Sequence, residues 1–381
     1  MPKKTDQDHD KEANNESAEE IQLLAELRSK IDKIDQDIGE LISERARCAL
    51  EVANIKKRNS DQTDPTFYRP EREAQVLRRA MERNKGPLKN EEFARLFREI
   101  MSACLALERP IKVAYLGPEG TYTQEAALKH FGHSALVTPM SAIDEVFREV
   151  ASEATQYGVV PVENSTGGVV THTLDSFIGS NVKICGEVVL RIHHNLLVSD
   201  VTNVENITRI YSHAQSLAQC RKWLDAYYPR AERIAVSSNA EAAKRIKGEW
   251  NSAAIAGEMA SKIYGLKIQC EKIEDQPDNS TRFLIIGDHD VDVSGDDKTS
   301  VVVSMKNEPG ALHNLLEPFH RNGIDLTRIE SRPSLNGPWN YVFFIDFTGH
   351  KSNATIKNAL AEVRDRAVDL KILGSYPKGV L

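Results

Sequence analysis

No apolar run in this sequence approaches the roughly 18 residues of a membrane span, and the opening stretch MPKKTDQDHDKEANNESAEE lacks the apolar centre of a secretory signal. The expected location is therefore the cytoplasm. Cysteine is sparse: residues 48, 104, 185, 220 and 270 are odd in number, scattered, and form no C-x-x-C pair. Neither a disulfide framework nor a zinc site is indicated, and the five read as reduced core thiols. His193-His194 has no third ligand at metal spacing, so no metal is expected. A basic excess is also missing. The net charge is −7, of which −4 lies in residues 1–20, where seven acids face three bases in a tail too polar to fold. The nearly neutral remainder argues against a nucleic-acid binder.

What is present is a globular composition, 40% hydrophobic and 28% charged over 381 residues, long enough for two or three domains. Three periodicities divide the chain. Residues 21–109 show helical spacing, with a first helix from Ile21 to Lys57, a polar loop KRNSDQTDPTFYRP, a second helix near Glu71 after Pro70, and a third from about Asn90. So long a first helix is best covered by a second copy of the chain. Residues 110–288 alternate short apolar runs with amphipathic stretches, the pattern of a mainly parallel α/β sheet that divides into two lobes. After the acidic linker DHDVDVSGDDK, residues 298–381 read β-α-β-β-α-β, a ferredoxin-like α+β order.

The first helix carries a seam at Leu24, Leu27, Ile31, Ile34, Ile38 and Leu41, continued by Cys48, Val52 and Ile55; Arg45 interrupts it. A guanidinium in such a slot is costly to bury without an anion. Arg45 and Lys56, eleven residues apart, differ by only about 20° around the helix, so both can converge on one anion. Arg28 lies about 100° away and would have to come from a partner helix. The second helix adds Arg69, Arg72 and Glu73; the third carries Cys104 and Glu108 at i, i+4 with Phe97 and Met101. Two readings remain open on these residues alone. One is a cationic pocket for a small polyanion, the other a bundle whose long cations pair with Glu40, Glu44 and Glu51.

In the middle segment, GPEGTYT (117–123), VENSTGG (162–168) and SHAQS (212–216) place hydroxyl and amide groups where helices begin, which together favour a dianionic ligand. Singly, each is a capped helix. DNSTRFLII reads as a turn before a buried strand. In the last segment, NEPGALHNLL puts Gly310 at a strand-to-helix turn open to a carboxylate, and ESRP (330–333) ends the next strand; both also suit a purely structural domain.

The stretches LAELRSKIDKID, SER, EVANIK and YRPERE closely resemble the all-helical class of chorismate mutase over about residues 20–109. That reaction is a rearrangement of chorismate to prephenate that needs no cofactor. The resemblance implies that Arg28 of a partner subunit and Arg45 hold the two carboxylates, Lys56 donates to the ether oxygen, and Glu73 binds the ring hydroxyl. Glu108 and Cys104 stand where some members have Gln and Ser; Arg69, beside Arg72, stands where an Asp can occur. A carboxylate at Glu108 facing the ether oxygen helps only when protonated.

GPEGTYT, PVENSTGGV, GEVVLRIHH, SHAQ, IYGL and NSTRF resemble prephenate dehydratase over about 111–287. This implies loss of water and carbon dioxide from prephenate to give phenylpyruvate, with Thr281 as the catalytic threonine and Thr121, Glu163, Asn164, Ser165, Ser212, Gln215, Arg282 and Phe283 as the shell around the substrate. Ala214 replaces a proline common in the SHPQ motif. GALHNLL with ESRP resembles the ACT domain, implying that L-phenylalanine binds at Gly310, Ala311, Leu312, Glu330, Ser331, Arg332 and Pro333 between paired copies, in a homodimer or higher homo-oligomer. The expected fold class is thus multidomain: an all-α mutase domain, an α/β two-lobed, periplasmic-binding-protein-like dehydratase domain, and a ferredoxin-like ACT domain. Two alternatives stand beside it. One is a ligand-responsive regulator, which lacks a DNA-reading helix-turn-helix here; the other is a dehydratase whose helical domain only dimerises.

Overall fold

The computed structural model describes residues 7–59, 68–306, 308–333 and 341–380, without the side chains of 7–19, 57 and 59. Residues 1–6 of the expected tail and residues 60–67 of the first interhelical loop lie outside that description. The chain falls into two units, residues 1–65 and 66–381.

The first unit is one helix, α1 (Gln7–Asn59), about 80 Å long at 1.5 Å per residue. It starts well before Ile21 and takes in most of the stretch expected to be a structureless tail. Glu, Gln, Lys and Ala propagate a helix well, there is no Gly or Pro between Gln7 and Ile38, and extending an existing helix needs no new nucleus. Its seam is uncovered in the single chain: Leu24, Leu27, Ile31, Ile34, Ile38 and Leu41 are all exposed.

The second unit begins with α2 (Pro70–Arg83) and α3 (Asn90–Glu108), which pack together. The α2 helix buries Pro70, Ala74, Leu77 and Ala80 along one face, the three-four spacing that makes an apolar stripe. Tyr68, just upstream, is anchored in the core of the middle domain, its ring centroid 5.4 Å from that of Phe131 and 5.3 Å from that of Tyr157. Arg78 of α2 donates to the Asp296 carbonyl at 2.8 Å, fastening the helix to the acidic linker.

The middle domain has two lobes. The first contains β1 (Lys112–Leu116), α4 (Tyr122–Phe131), β2 (Leu136–Met140), α5 (Ile143–Ala151), β3 (Tyr157–Asn164), β4 (Gly168–Val169), α6 (Thr171–Gly179) and β5 (Lys183–Arg191). The chain then builds the second lobe from β6 (Asn195–Val198), β7 (Arg209–His213), α7 (Ala214–Gln219), α8 (Arg221–Tyr227), β8 (Glu232–Val236), α9 (Asn239–Arg245), β9 (Ser252–Ala256), α10 (Glu258–Tyr264) and β10 (Lys267–Cys270). It returns through β11 (Ser280–Gly287), which enters the first sheet between β3 and β5. The strand orders are β2-β1-β3-β11-β5, with β4 on β3, and β10-β6-β9-β7-β8. The sheets are mixed rather than mainly parallel: β1 runs parallel to β2 and β3, and β7 to β8 and β9, but β11, β6 and β10 pair antiparallel. A strand that returns from the other lobe enters its sheet without a crossover helix, so the parallel rule for βαβ units does not bind it.

The carboxy-terminal domain is β12 (Asp297–Met305), α11 (Ala311–Arg321), β13 (Leu326–Pro333), β14 (Tyr341–Thr348), α12 (Ala354–Arg366) and β15 (Asp369–Pro377), with sheet order β13-β14-β12-β15. It shares a core with the first lobe, in which Val162, Leu174, Phe177 and Leu284 pack with Val302, Phe344, Leu373 and Tyr376. At Gly374 the backbone of β15 meets that of β5 so closely that a Cβ would overlap the Ile184 carbonyl oxygen. Gly374→Ala is accordingly expected to destabilise the chain by about 1–3 kcal/mol, as overpacking against a backbone that cannot move aside does; a lowered thermal midpoint would show it, and an unchanged one would refute it.

Candidate active sites

Strands β3 and β11 pair antiparallel with Thr281 opposite Asn164 and Arg282 opposite Glu163. Opposed residues share a face of a sheet and successive residues alternate, so Thr281 and Asn164 project to one face, and Arg282 and Glu163 to the other. On the first face, Asn164 Nδ2 donates to Thr281 Oγ1 at 2.8 Å and to Asn279 Oδ1 at 2.9 Å. Asn164 Oδ1 accepts from the Gly167 amide at 2.7 Å and, from the second lobe, from Gln215 Nε2 at 3.2 Å and Gln219 Nε2 at 3.4 Å. Gln219 Oε1 accepts from Asn279 Nδ2 at 3.2 Å and lies 2.8 Å from His194 Nε2. The Tyr122 hydroxyl, 3.0 Å from His194 Nδ1, donates to the His193 carbonyl. Burial pushes the His194 pKa down. The side chains around Thr281 and Asn164 are thus amides and hydroxyls, with the Glu274 carboxylate accepting from the His194 amide at 2.9 Å beside them.

The other expected members of this shell take supporting places. Thr121 caps α4, accepting from the Gln124 amide. Ser165 is clipped to β11, its hydroxyl accepting from the Ser280 amide at 3.0 Å. Ser212 is buried and donates to the Ile255 carbonyl at 2.8 Å, and Phe283 lies in the core beneath the site. VENSTGG forms the β3–β4 hairpin turn, with α6 starting only at Thr171, so it is not the helix start expected.

Two expectations need correction. Arg282 faces away from Thr281, its guanidinium bonded to Glu187 at 2.8 Å, to Asp346 at 2.6 Å and to the Tyr376 hydroxyl at 2.9 Å. Glu163 turns the same way and meets Arg328 at 3.4 Å. The pleat decides this, and a single strand's sequence does not say which of its faces looks into the cleft. Sequence reading missed Gln219, Asn279, His194 and Tyr122 as members of the polar cluster. For Gln219 a signal existed, since it stands four residues beyond Gln215 on one helix.

On α1, Arg28 and Arg45 are exposed and Lys56 is half-buried. In the second unit, Arg69 and Arg72 are exposed, Cys104 is buried and Glu108 is partly buried on α3. Glu73 is not open to a ligand: its carboxylate pairs with Arg98 at 3.2 Å and hydrogen-bonds Tyr68. Arg98 also donates to the Lys129 carbonyl at 2.7 Å, and the Tyr68 hydroxyl lies 3.0 Å from His130 Nε2. Burial raises the Glu73 pKa even against the pull of Arg98. Burial, aided by Arg98, holds His130 down to about 3 from an ordinary 6.5. Between those values the unfolded chain binds a proton that folded His130 refuses, so this group's contribution is complete above pH 6.5 and is lost as pH falls toward 3. The thermal midpoint of the chain is expected to drop over that window, and more steeply than that of His130→Gln; equal slopes would refute the assignment.

In the carboxy-terminal sheet, Met305, Tyr341 and Pro333 are aligned in register across β12, β14 and β13. The turn to Gly310 and the end of ESRP therefore lie at the same end of the sheet. Gly310 has φ +85° with nothing near its Cβ position, a conformation that suits glycine. Ala311, Glu330 and Arg332 are half-buried, while Leu312, Ser331 and Pro333 are exposed.

Three family models match the chain in succession: chorismate mutase type II over residues 27–109, prephenate dehydratase over 113–291 and the ACT domain over 299–365. A bifunctional chorismate mutase/prephenate dehydratase of Pseudomonas aeruginosa is 67% identical across 96% of this chain and all of its own length. The chain belongs to the bifunctional chorismate mutase/prephenate dehydratase family. It carries both activities, and its ACT domain is consistent with feedback regulation by phenylalanine. The corresponding bifunctional enzyme of Neisseria gonorrhoeae is 50% identical over 94% of this chain and 98% of its own. Among solved structures, a prephenate dehydratase of Arthrobacter aurescens in complex with L-Phe is 32% identical and covers 70% of this chain and 90% of its own, with a TM-score of 0.66. The mutase match ends one residue beyond α3, and the dehydratase match starts one residue inside β1. The ACT match stops before β15, the strand that packs this domain on the dehydratase through Gly374.

Proposed function

We propose that dehydration of prephenate takes place on the Thr281–Asn164 face, with Thr281 donating to the departing ring hydroxyl. The observation that carries this reading is the 2.8 Å bond from Asn164 Nδ2 to Thr281 Oγ1. With its oxygen receiving that donor, the threonine's own O–H is left to point outward, and charge developing on Oγ1 during proton donation is met by a fixed amide dipole. As the bond from the ring to its carboxylate breaks, the electron pair enters the ring and expels the hydroxyl, which leaves as water with the threonine proton. Carbon dioxide is the other product, and solvent returns the proton. Gln215 and Gln219 hold Asn164 from the second lobe, so lobe closure and donor alignment are linked. Whether this hydroxyl is the donor is tested by kinetics of Thr281→Ala on prephenate.

For chorismate rearrangement, Arg28, Arg45 and Lys56 are the proposed ligands of the two carboxylates and the ether oxygen, with Arg69, Arg72, Cys104 and Glu108 completing the set. Likeness to the family supports this. Glu73 enters as the ring-hydroxyl partner only if Arg98 releases its carboxylate. The uncovered apolar seam of α1 supports a homodimer or higher homo-oligomer in which a second copy covers it; sedimentation of the intact chain checks this. L-phenylalanine is the proposed effector at Gly310, Ala311, Leu312 and Glu330–Pro333, supported by the shared sheet end and by the L-Phe complex of the Arthrobacter relative. No cofactor is proposed for either reaction.

A further inference from the structure

We infer that Arg328 is a positioning residue for dehydration, acting from the sensor strand β13 through Glu163 on the strand that carries Asn164. The inference rests on the readings of Thr281–Asn164 as the reacting pair and of ESRP as effector-binding.

Behind Thr281 and Asn164, on the opposite face of the same two strands, lies a closed set of charges. Arg282, Lys298 and Arg328 supply three cations; Glu163, Glu187 and Asp346 supply three anions. Glu187 takes Arg282 at 2.8 Å and Lys298 at 2.8 Å. Asp346 takes Arg282 at 2.6 Å and the Ser300 hydroxyl at 2.6 Å. Dehydratase and ACT residues are interleaved throughout, so the ACT domain grips the back of the strand pair whose front bears the reacting groups.

The two grips differ. Arg282 is fully engaged, with Nε, Nη1 and Nη2 each bonded to a separate partner, a fixed joint. Among the described residues, Arg328 makes one ion pair, to Glu163 at 3.4 Å, from a side chain only 10% exposed, and its Nη2 is buried with no hydrogen-bond partner there. A buried donor left unmet is costly, so the arrangement here is the less satisfied of the two, and a small displacement of β13 changes it at little loss.

That strand is also where the effector motif sits. Along β13, residues 328, 330 and 332 alternate with exposed 327, 329, 331 and 333. Arg332, inside ESRP, pairs with Asp175 of α6 at 3.1 Å, and among the described residues its Nε has no hydrogen-bond partner. The Lys371 Nζ donates to the Phe177 carbonyl at 2.9 Å at the end of the same helix. The chain between Glu163 and Asp175 is thus held from β13 at both ends, and it contains Asn164 and the hairpin turn whose amides bind Asn164 Oδ1. An effector that binds ESRP and draws on β13 alters both attachments and, through them, the aim of the Asn164 amide at Thr281. This is coupling by a rigid strand with two discrete attachments, and it makes quantitative demands.

The test uses the full chain with prephenate, with and without L-phenylalanine, and mutase activity and thermal unfolding as controls. Arg328→Gln and Glu163→Gln are each expected to lower dehydratase kcat about 5- to 30-fold with KM nearly unchanged, and to weaken inhibition by phenylalanine by a similar factor. The double variant should be no worse than either single one, because both remove the same link. Arg328→Lys should recover part of both effects. Should Arg328→Gln fail to fold, Glu163→Gln, at the more exposed end, gives the same readings. Additive losses, or unchanged kcat and inhibition with only a lowered thermal midpoint, would overturn the inference. Normal turnover by Thr281→Ala would instead remove the reading of the reacting pair beneath it.

Discussion

Thr281→Ala is expected to lose about 10²- to 10⁴-fold in dehydratase kcat, the range over which a positioned proton donor acts, while KM for prephenate changes little. The split follows from the geometry. On the proposed roles, Asn164, Gln215 and Gln219 would hold the ligand and remain in place without Thr281, and only the group that would change during reaction is lost. Thr281→Ser keeps the hydroxyl and the bond from Asn164 and should recover most of the rate. Asn164→Ala is expected to resemble Thr281→Ala in kcat and to raise KM as well, because Asn164 is the point at which both lobes meet. Steady-state rates of phenylpyruvate formation decide the matter. Normal turnover in Thr281→Ala would mean that another group protonates the leaving oxygen.

Arg45→Ala is the second large effect. Chorismate rearrangement has no proton to transfer, so a protein contributes by fixing the compact conformer and by meeting the carboxylates and the ether oxygen with fixed donors. Losing one such donor costs on the order of 10²- to 10³-fold in rate. Mutase turnover should fall by at least that much, while turnover of supplied prephenate continues, since Arg45 and the Thr281–Asn164 pair lie in different units of the chain. Equal loss of both activities would count against two independent centres.

Excising the ACT domain is a poor probe of its regulatory role. It would uncover Leu174, Phe177 and Leu284, which share a core with Val302, Phe344, Leu373 and Tyr376, and would strip Arg282 of Asp346 and the Tyr376 hydroxyl. Point changes at Arg328 and Glu163 leave that core intact.

Helix α3 ends at Glu108, just before Pro110, as that proline implies, and the ACT domain has the β-α-β-β-α-β succession that its periodicity implies. The tail differs from expectation over residues 7–20, which are polar enough to stay unfolded alone but continue a helix already nucleated downstream. The parallel character of the middle sheets was overstated, because β11 comes back from the other lobe and pairs antiparallel. Thr281, Asn164 and Gln215 are brought together as expected, whereas Glu163 and Arg282, their immediate neighbours, face the ACT domain.

From the amino-acid order alone follow the three modules, their sequence along the chain and the segments that bear their chemistry, since periodicities of 3.6 and 2 and short motifs are local properties. Only the tertiary structure decides which side of β3 and β11 looks into the cleft, which acid of YRPERE is sealed against Arg98, and that Arg328 of the ACT domain reaches the back of β3. The first and last of these depend on register between strands more than a hundred residues apart, where a shift of one residue would exchange the front of the sheet for its back, and the second on how the neighbouring helices α2 and α3 face each other.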